Sequence, residues 1–145
     1  MKIIAHRGNL HGSTPESEND PIYIDAALNA LVDVEVDLWY IDKKLYLGHD
    51  EPKYSIDKLW IEHRKDKLWI HVKNIECMDY MSSKNFNYFW HEKDKITLTS
   101  NGTPWCYPGV YIKTGITVIL DKYEKYIDIL GICTDHAIYM KEKTQ

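Results

Sequence analysis

The chain has 145 residues, of which 44% are hydrophobic and 28% are charged, and its formal net charge is −4 at pH 7. These values predict one globular domain over residues 1–145, and no apolar run approaches the roughly 18 residues of a membrane-spanning helix. The negative balance, with Lys and Arg scattered along the chain, argues against a nucleic-acid partner, because that binding depends on clustered basic side chains.

The start of the chain and its cysteines predict a cytoplasmic location. Residues 1–8 break into charge after a short apolar run and lack the roughly 7–15-residue apolar core of a signal peptide. Cys77, Cys106 and Cys133 are far apart and outside any C-x-x-C spacing, which is typical of reduced thiols. We therefore expect each cysteine to be a small buried hydrophobic residue.

The first half of the chain alternates predicted strands and helices. The Ile-rich run from Lys2 to His6 predicts a buried strand, and Asp33 to Tyr40 alternates apolar and polar residues, which predicts a second. Between them, Asp20 followed by Pro21 is a helix N-terminus signature. We further predict a short extended return at Lys44–Leu47, helices capped by Ser55 and Asn74, and a strand at Leu68–Val72.

After Lys84 the pattern changes to extended runs whose connections are too short for helices. The predicted strands lie at residues 88–90, 96–99, 110–112, 117–120 and 130–134, with one more helix from Asp121 through Ile127. Parallel neighbours need long crossover connections, so we expect the second half to be irregular or partly antiparallel. The chain as a whole predicts an α/β fold.

Polar side chains occur near the carboxyl ends of the first three predicted parallel strands. They are His6 and Arg7 on the first, Glu35 and Asp37 on the second, and His71 and Lys73 on the third. Residues two apart on a strand share a face, and the carboxyl ends of parallel strands surround the active site in β/α folds. Two carboxylates that converge with an imidazole favour a divalent cation such as Mg, Ca or Mn. Arg7 and Lys73 supply positive charge that would hold a phosphate.

Each of these residues taken alone also fits a structural role. An acidic residue that alternates with Val is usually the solvated face of a strand, and a lone histidine is more often structural than catalytic. A solvated strand face does not explain the combination, however, since Gly48-His49-Asp50 follows shortly after the Glu-x-Asp pair.

Six motifs, in order along the chain, resemble those of the glycerophosphodiester phosphodiesterases. That family has His-Arg-Gly, Pro-Glu-Asn-Thr, Glu-x-Asp, His-Asp, Glu-x-Lys and a late Gly-x-x-Thr-Asp. This chain has His6-Arg7-Gly8, Glu18-Asn19-Asp20, Glu35-Val36-Asp37, His49-Asp50, His71-Val72-Lys73 and Gly131-Ile132-Cys133-Thr134-Asp135. The resemblance spans nearly the whole chain.

The resemblance implies a reduced TIM-type (β/α) barrel with several outer helices missing in the second half, because such barrels run to about 250 residues. It also implies metal-dependent hydrolysis of a small-molecule phosphodiester, with His6 and His49 as the general acid and base. The other implied roles are metal binding by Glu35, Asp37 and His71, phosphate binding by Arg7 and Lys73, and ordering of the first loop by Glu18 and Asn19.

Departures from the family pattern leave alternatives open. His71 stands where the family has a Glu, which adds a nitrogen ligand and shifts the metal preference toward Mn or Zn. The shortened barrel also fits an inactive module that binds phosphate or a sugar phosphate. Retention of both His6 and His49 favours the enzyme, because phosphate binding needs only the cation and the basic side chains.

The second half raises two further questions. Trp105 and Tyr107, in the turn-rich segment 101–109, either stack on the substrate's alcohol portion or fill the barrel where helices are missing. Strands that no helix covers predict an exposed apolar patch, and such patches usually bind partners, so a homo-oligomer is expected.

Overall fold

A computed structural model describes residues 1–145 and shows a ten-stranded mixed sheet, curved into a half-barrel, with four short helices. The strands are β1 Lys2–His6, β2 Asp33–Ile41, β3 Lys44–Leu47, β4 Tyr54–Ile56, β5 Leu68–Val72, β6 Tyr88–Phe89, β7 Ile96–Leu98, β8 Pro104–Cys106, β9 Ile116–Val118 and β10 Gly131–Thr134. The helices are α1 Pro21–Asn29, α2 Lys58–Glu62, α3 Ile75–Ser82 and α4 Ala137–Thr144, and Lys65–Lys67 forms a 3₁₀ turn.

The expected TIM-type barrel is wrong. Strands and helices do not alternate around the sheet, because the chain from β6 to β10 contains five strands and no helix. The parallel neighbours β8, β9 and β10 are joined by the irregular segments 107–115 and 119–130, and the first of these is shorter than the roughly dozen residues that a helical crossover needs. β7 and β8 pair antiparallel, as expected for a partly antiparallel second half.

Several element boundaries also differ from the sequence-based ones. Asp57 caps α2 by accepting a hydrogen bond from the Trp60 N–H (2.8 Å), whereas Ser55 lies in β4. The helix expected from Asp121 is absent, because this exposed segment buries too little apolar surface to stabilise one. Residues 110–112 form no strand, while β8 and α4 were not anticipated.

The parallel part of the sheet sets the functional strands side by side. β1 lies between β10 and β2, and β5 pairs with the other edge of β2. In this register His6 lies opposite Glu35, and Asp37 lies opposite His71. Lys2 to Ala5 pair with Gly131 to Thr134, which sets the last strand directly beside the first.

The sheet extends differently at its two ends. The carboxyl half of β2 pairs antiparallel with β3, and β3 pairs with β4. At the other end, β9 and β8 continue parallel from β10. Ser100, which follows β7, is bound to β6. Its N–H donates to the Tyr88 carbonyl (2.7 Å), and its hydroxyl accepts from the Tyr88 N–H (3.0 Å).

Apolar side chains form two separate clusters. The larger one lies between β1, β2 and β5 and the helices, and includes Val34, Ile24 of α1 and Met81 of α3. The smaller one fills the inside of the curved sheet with Ile4, Trp69, Phe89, Trp105, Ile116 and Cys133. Trp105 is only 3% exposed and stacks on Phe89 at 4.4 Å between ring centroids. Trp105 therefore fills the interior, the second of the two roles considered for it.

The helices, the cysteines and the strand β7 bear on the predictions about a membrane span, reduced thiols and an exposed apolar patch. None of the four helices has the length and apolarity that crossing a membrane requires. All three cysteines are buried free thiols, as predicted. Ile96 and Leu98 of β7 are exposed. The homo-oligomer stays a prediction.

Candidate active site

Charged and polar side chains from the carboxyl ends of β1, β5 and β10 converge with side chains from the first half of β2. The chain turns sharply after β1, where Arg7 has a φ of 54° and Gly8 a φ of 89°. A Cβ at Gly8 would lie 2.9 Å from the Tyr23 ring, so a larger residue does not fit this turn. The Arg7 backbone N–H donates to the Glu35 carboxylate (3.2 Å), which fixes the turn over β2.

Glu35, Asp37 and His71 form the centre of the site. One ligand atom from each lies within 4.8 Å of the others. The His71 Nδ1 is 3.2 Å from Asp37 Oδ1 and 3.8 Å from Glu35 Oε1. Both carboxylates are buried, and Asp37 Oδ1 has no hydrogen-bond partner of good geometry. A buried carboxylate oxygen without a partner is costly unless a cation neutralises it.

The proton of the His71 ring is fixed by its second nitrogen. Nε2 lies 2.8 Å from the backbone carbonyl oxygen of His91, which can only accept, so Nε2 carries the hydrogen. In the neutral ring Nδ1 then turns its lone pair toward two carboxylates, which is unfavourable unless a cation lies between them. Metal-binding histidines typically donate their other N–H to a backbone carbonyl or carboxylate in this way.

The two carboxylates differ in their affinity for protons. Burial raises the pKa of Glu35, and the neighbouring charge of Asp37 raises it further. Burial opposes ionisation of Asp37 as well, but a hydrogen bond from His71, whose Nδ1 carries a proton in the imidazolium form, and the charge of Arg7 lower its pKa to about 2. The cluster therefore holds one firmly ionised carboxylate beside one that resists ionisation, as expected where two carboxylates share a buried site with too little positive charge to neutralise both.

His6 forms a hydrogen-bonded pair with Asp135. The His6 Nδ1–H donates a hydrogen bond to Asp135 Oδ1 (2.7 Å), and Nε2 lies 4.0 Å from Glu35 Oε2. Burial alone would lower the pKa of His6, but the bond to Asp135 and the charge of Glu35 raise it above its ordinary value. The imidazole is thus oriented as a base with Nε2 free of hydrogen-bond partners.

Asp135 and Asn9 are site residues to which the sequence analysis assigned no role. Asn9 is fully buried and donates to both Asp135 (2.8 Å) and Glu18 (2.9 Å). Asp135 ends the last of the six motifs, and the pairing of β10 with β1 brings it next to His6. The sequence thus held a signal for Asp135, but no spacing or motif marks Asn9.

Glu18 and Asn19 hold neighbouring members of the site. Arg7 Nη1 donates to Glu18 (3.2 Å), and Arg7 Nε lies 3.3 Å from Asp37. Asn19 has a positive φ of 64° and makes two bonds to Asp37, donating to its carboxylate (2.9 Å) and accepting from its backbone N–H (3.0 Å). The first loop is thereby tied to both β1 and β2.

The remaining two predicted residues lie at the edge of this network. His49 follows β3, and its Nδ1 lies 2.7 Å from Asp50, a side chain that is 92% exposed. His49 lines the same cleft as His6. Lys73 Nζ lies 3.9 Å from Asp37, but Lys73 is not among the residues that line the cleft.

A cleft opens above the cluster in two adjoining parts of about 350 and 400 Å³, and the first part exposes His6, Arg7, Glu35, His49 and His71. A larger hollow of about 520 Å³ lies between residues 123–129 and α4, away from these side chains, and includes none of them. The arrangement offers an acidic pocket for a cation, an oriented imidazole base and a guanidinium beside one cleft.

Comparison of the chain with protein-family models, curated proteins and solved structures found no match.

Proposed function

We propose that this protein is a metal-dependent phosphodiester hydrolase of the glycerophosphodiester phosphodiesterase type. The observation that carries the proposal is the orientation of His6, whose Nδ1 proton is bound by Asp135 while Nε2 stays open beside the buried acidic cluster. The order of the six motifs along the chain supports the same chemistry.

The donor set of the central cluster fits a divalent cation. Glu35, Asp37 and His71 would hold it, because a buried carboxylate oxygen lacks a partner and the lone pair of the His71 Nδ1 points to the same place. Two carboxylates and one imidazole suit Mn or Zn as well as Mg or Ca. When bound, the cation supplies positive charge that neutralises the phosphoryl oxygens.

The side chains of the chain itself move the protons. His6 Nε2 takes the proton of the attacking hydroxyl, which belongs to water or to a hydroxyl next to the phosphate, as a bond forms from that oxygen to phosphorus. Asp135 stabilises the imidazolium that results. His49 gives a proton to the alcohol oxygen as its bond to phosphorus breaks, and Arg7 offsets the charge on the phosphoryl group.

A phosphate-binding module without turnover is the second candidate. The exposed position of His49 favours it, because only the solvent-exposed Asp50 holds this imidazole and no buried contact fixes it opposite His6. Binding of phosphate by Arg7 and a cation does not depend on His49.

Hydrolysis assays on the full chain separate the two candidates. The protein is treated with chelator and then assayed with glycerophosphodiesters and bis(p-nitrophenyl) phosphate, with and without Mn or Mg. The hydrolase proposal expects turnover only with added metal. Metal-dependent binding of inorganic phosphate without any turnover would establish the binding module instead, and full activity in excess chelator would remove the metal from the mechanism.

A further inference from the structure

The cleft above the site has two arms that meet at the catalytic side chains. A polar arm of about 400 Å³ runs between the first loop and residues 48–53, and an apolar arm of about 350 Å³ runs toward β6, β8 and β9. The residues that line both arms are His6, Arg7, His49 and Leu120. The junction therefore contains the groups that would contact a phosphodiester's central phosphate.

The polar arm offers hydrogen bonds and charge. It is lined by Ser13, Glu18, Glu51 and Lys53, among other residues. Hydroxyl, carboxylate and ammonium groups match the donors and acceptors of an alcohol that carries further hydroxyl groups. Glu18 is already held by Arg7, Asn9 and Ser13, so this side of the arm is rigid before any ligand binds.

The apolar arm is backed by stacked rings, of which Phe89 and Trp105 are buried, and it is also lined by the polar residues His91 and Glu92. Phe89 stacks on His71 (5.1 Å) and on Trp105 (4.4 Å), so the stack begins at the central cluster. Tyr107, which is 46% exposed, lines the arm, and the His91 ring meets it edge-on at 6.1 Å. The His91 ring is itself held, because its Nε2 donates to the Asp94 carbonyl (2.6 Å). An apolar ligand would meet a surface that is already ordered.

We propose that the two arms bind the two different alcohol portions of an asymmetric phosphodiester. The portion that bears hydroxyl groups occupies the polar arm, and an apolar aryl or alkyl portion packs against Tyr107 in the apolar arm. The inference rests on the proposed function in one respect, which is that the phosphate lies at the junction. It adds which substrates the site selects and how they are oriented.

Binding measurements test the arms without any need for turnover. The full chain with Mn is titrated by calorimetry with benzyl phosphate, hexyl phosphate, methyl phosphate and glycerol 1-phosphate. We expect benzyl or hexyl phosphate to bind roughly 10-fold more tightly than methyl phosphate, because each buries apolar surface on Tyr107. A preference for benzyl identifies an aryl portion, and a preference for hexyl identifies an alkyl portion.

Two single variants assign the arms separately. Tyr107→Ala should lower the affinity for the tighter apolar monoester roughly 10-fold and leave glycerol 1-phosphate unchanged, while Glu51→Ala should do the reverse. Tyr111→Ala is the matched control, because Tyr111 is a similarly exposed tyrosine near Tyr107 that lines neither arm.

The outcomes distinguish the inference from the proposed function. Equal affinity of all four monoesters, or an equal loss for both ligand types in each variant, overturns the two-arm inference even if phosphodiesters are hydrolysed. Selective losses establish the arms even if no phosphodiester is hydrolysed, in which case the hydrolase proposal alone fails.

Discussion

The half of the sheet that helices cover differs from the half that they leave bare. β1, β2 and β5 pack against α1, α3 and α4 on one face, and these strands carry His6, Glu35, Asp37 and His71. β6 to β9 have no helix among them and contribute rings and loop residues to the cleft wall. Precise side-chain placement thus coincides with strands buried on both faces, while the bare half provides surface for contact with a ligand.

The largest expected effect is a loss of hydrolysis when His6, at the end of β1, or His49, which follows β3, is replaced. His6→Ala and His49→Ala should each lower phosphodiester hydrolysis by roughly 10²- to 10⁴-fold, the usual range for an acid–base group. The measurement is kcat/KM with Mn present, and melting temperatures check that the fold is kept. His63→Ala, a change at an exposed histidine after α2, should leave the rate unchanged. Unchanged rates in both site variants would exclude this acid–base pair.

The bare half depends on one buried aromatic cluster. Trp105→Ala should lower the free energy of unfolding by about 3–5 kcal/mol, because it removes a large ring that contacts both Trp69 and Phe89. Trp105→Phe should cost less, since it keeps a ring in the cluster. Urea unfolding measures both. A loss of less than about 1 kcal/mol for Trp105→Ala would mean that β8 contributes little to the fold.

The cluster of Glu35, Asp37 and His71 in the covered half is expected to destabilise the fold until a cation binds. The pKa of Glu35 is raised, so its ionisation opposes folding above its folded-state pKa, and this cost disappears below the ordinary value for a glutamate. Glu35→Gln should therefore raise the melting temperature of the metal-free protein at pH 7, with a gain that shrinks as the pH falls toward 4.

The same variant should lose the stabilisation that Mn gives to the parent protein. Asp33→Asn is the matched control, because Asp33 is a buried acid on the same strand that pairs instead with Lys2 (2.9 Å) at the opposite end. It should keep the response to Mn. If the melting temperature of the parent protein does not change when Mn or Mg is added, this result would argue against a cation at this cluster.

The covered half was the more predictable from sequence. Strand and helix signals in β1, α1, β2 and β5 agree with the packing there, and Asp20 caps α1 as predicted, accepting from the Ile22 N–H (2.9 Å). The period-two pattern of β2 also placed Glu35 and Asp37 on one face, where the structure has them beside His71.

The bare half and the hydrogen-bond partners were less predictable, for a physical reason. Strands of two or three residues, such as β6 and β8, carry no periodic signal and are fixed by tertiary contacts such as the Phe89–Trp105 stack. Asn9 acts through three side-chain partners that are distant along the chain, and only the folded sheet brings them together.

The smallest effect concerns the reactivity of buried thiols in the two halves. Burial raises the pKa of Cys77 to about 12 and also raises the pKa of Cys106, so neither thiol is appreciably ionised at pH 7 in the folded state. Reaction then depends on local opening, which needs less free energy where fewer elements pack together. Cys106 lies on β8, whereas Cys77 lies in the cluster between α3 and the sheet.

We expect iodoacetamide to label Cys106 faster than Cys77 in the native protein, with equal rates in urea, as measured by mass spectrometry of the peptides. Faster labelling of Cys77 would show that the helices, and not the bare strands, open first.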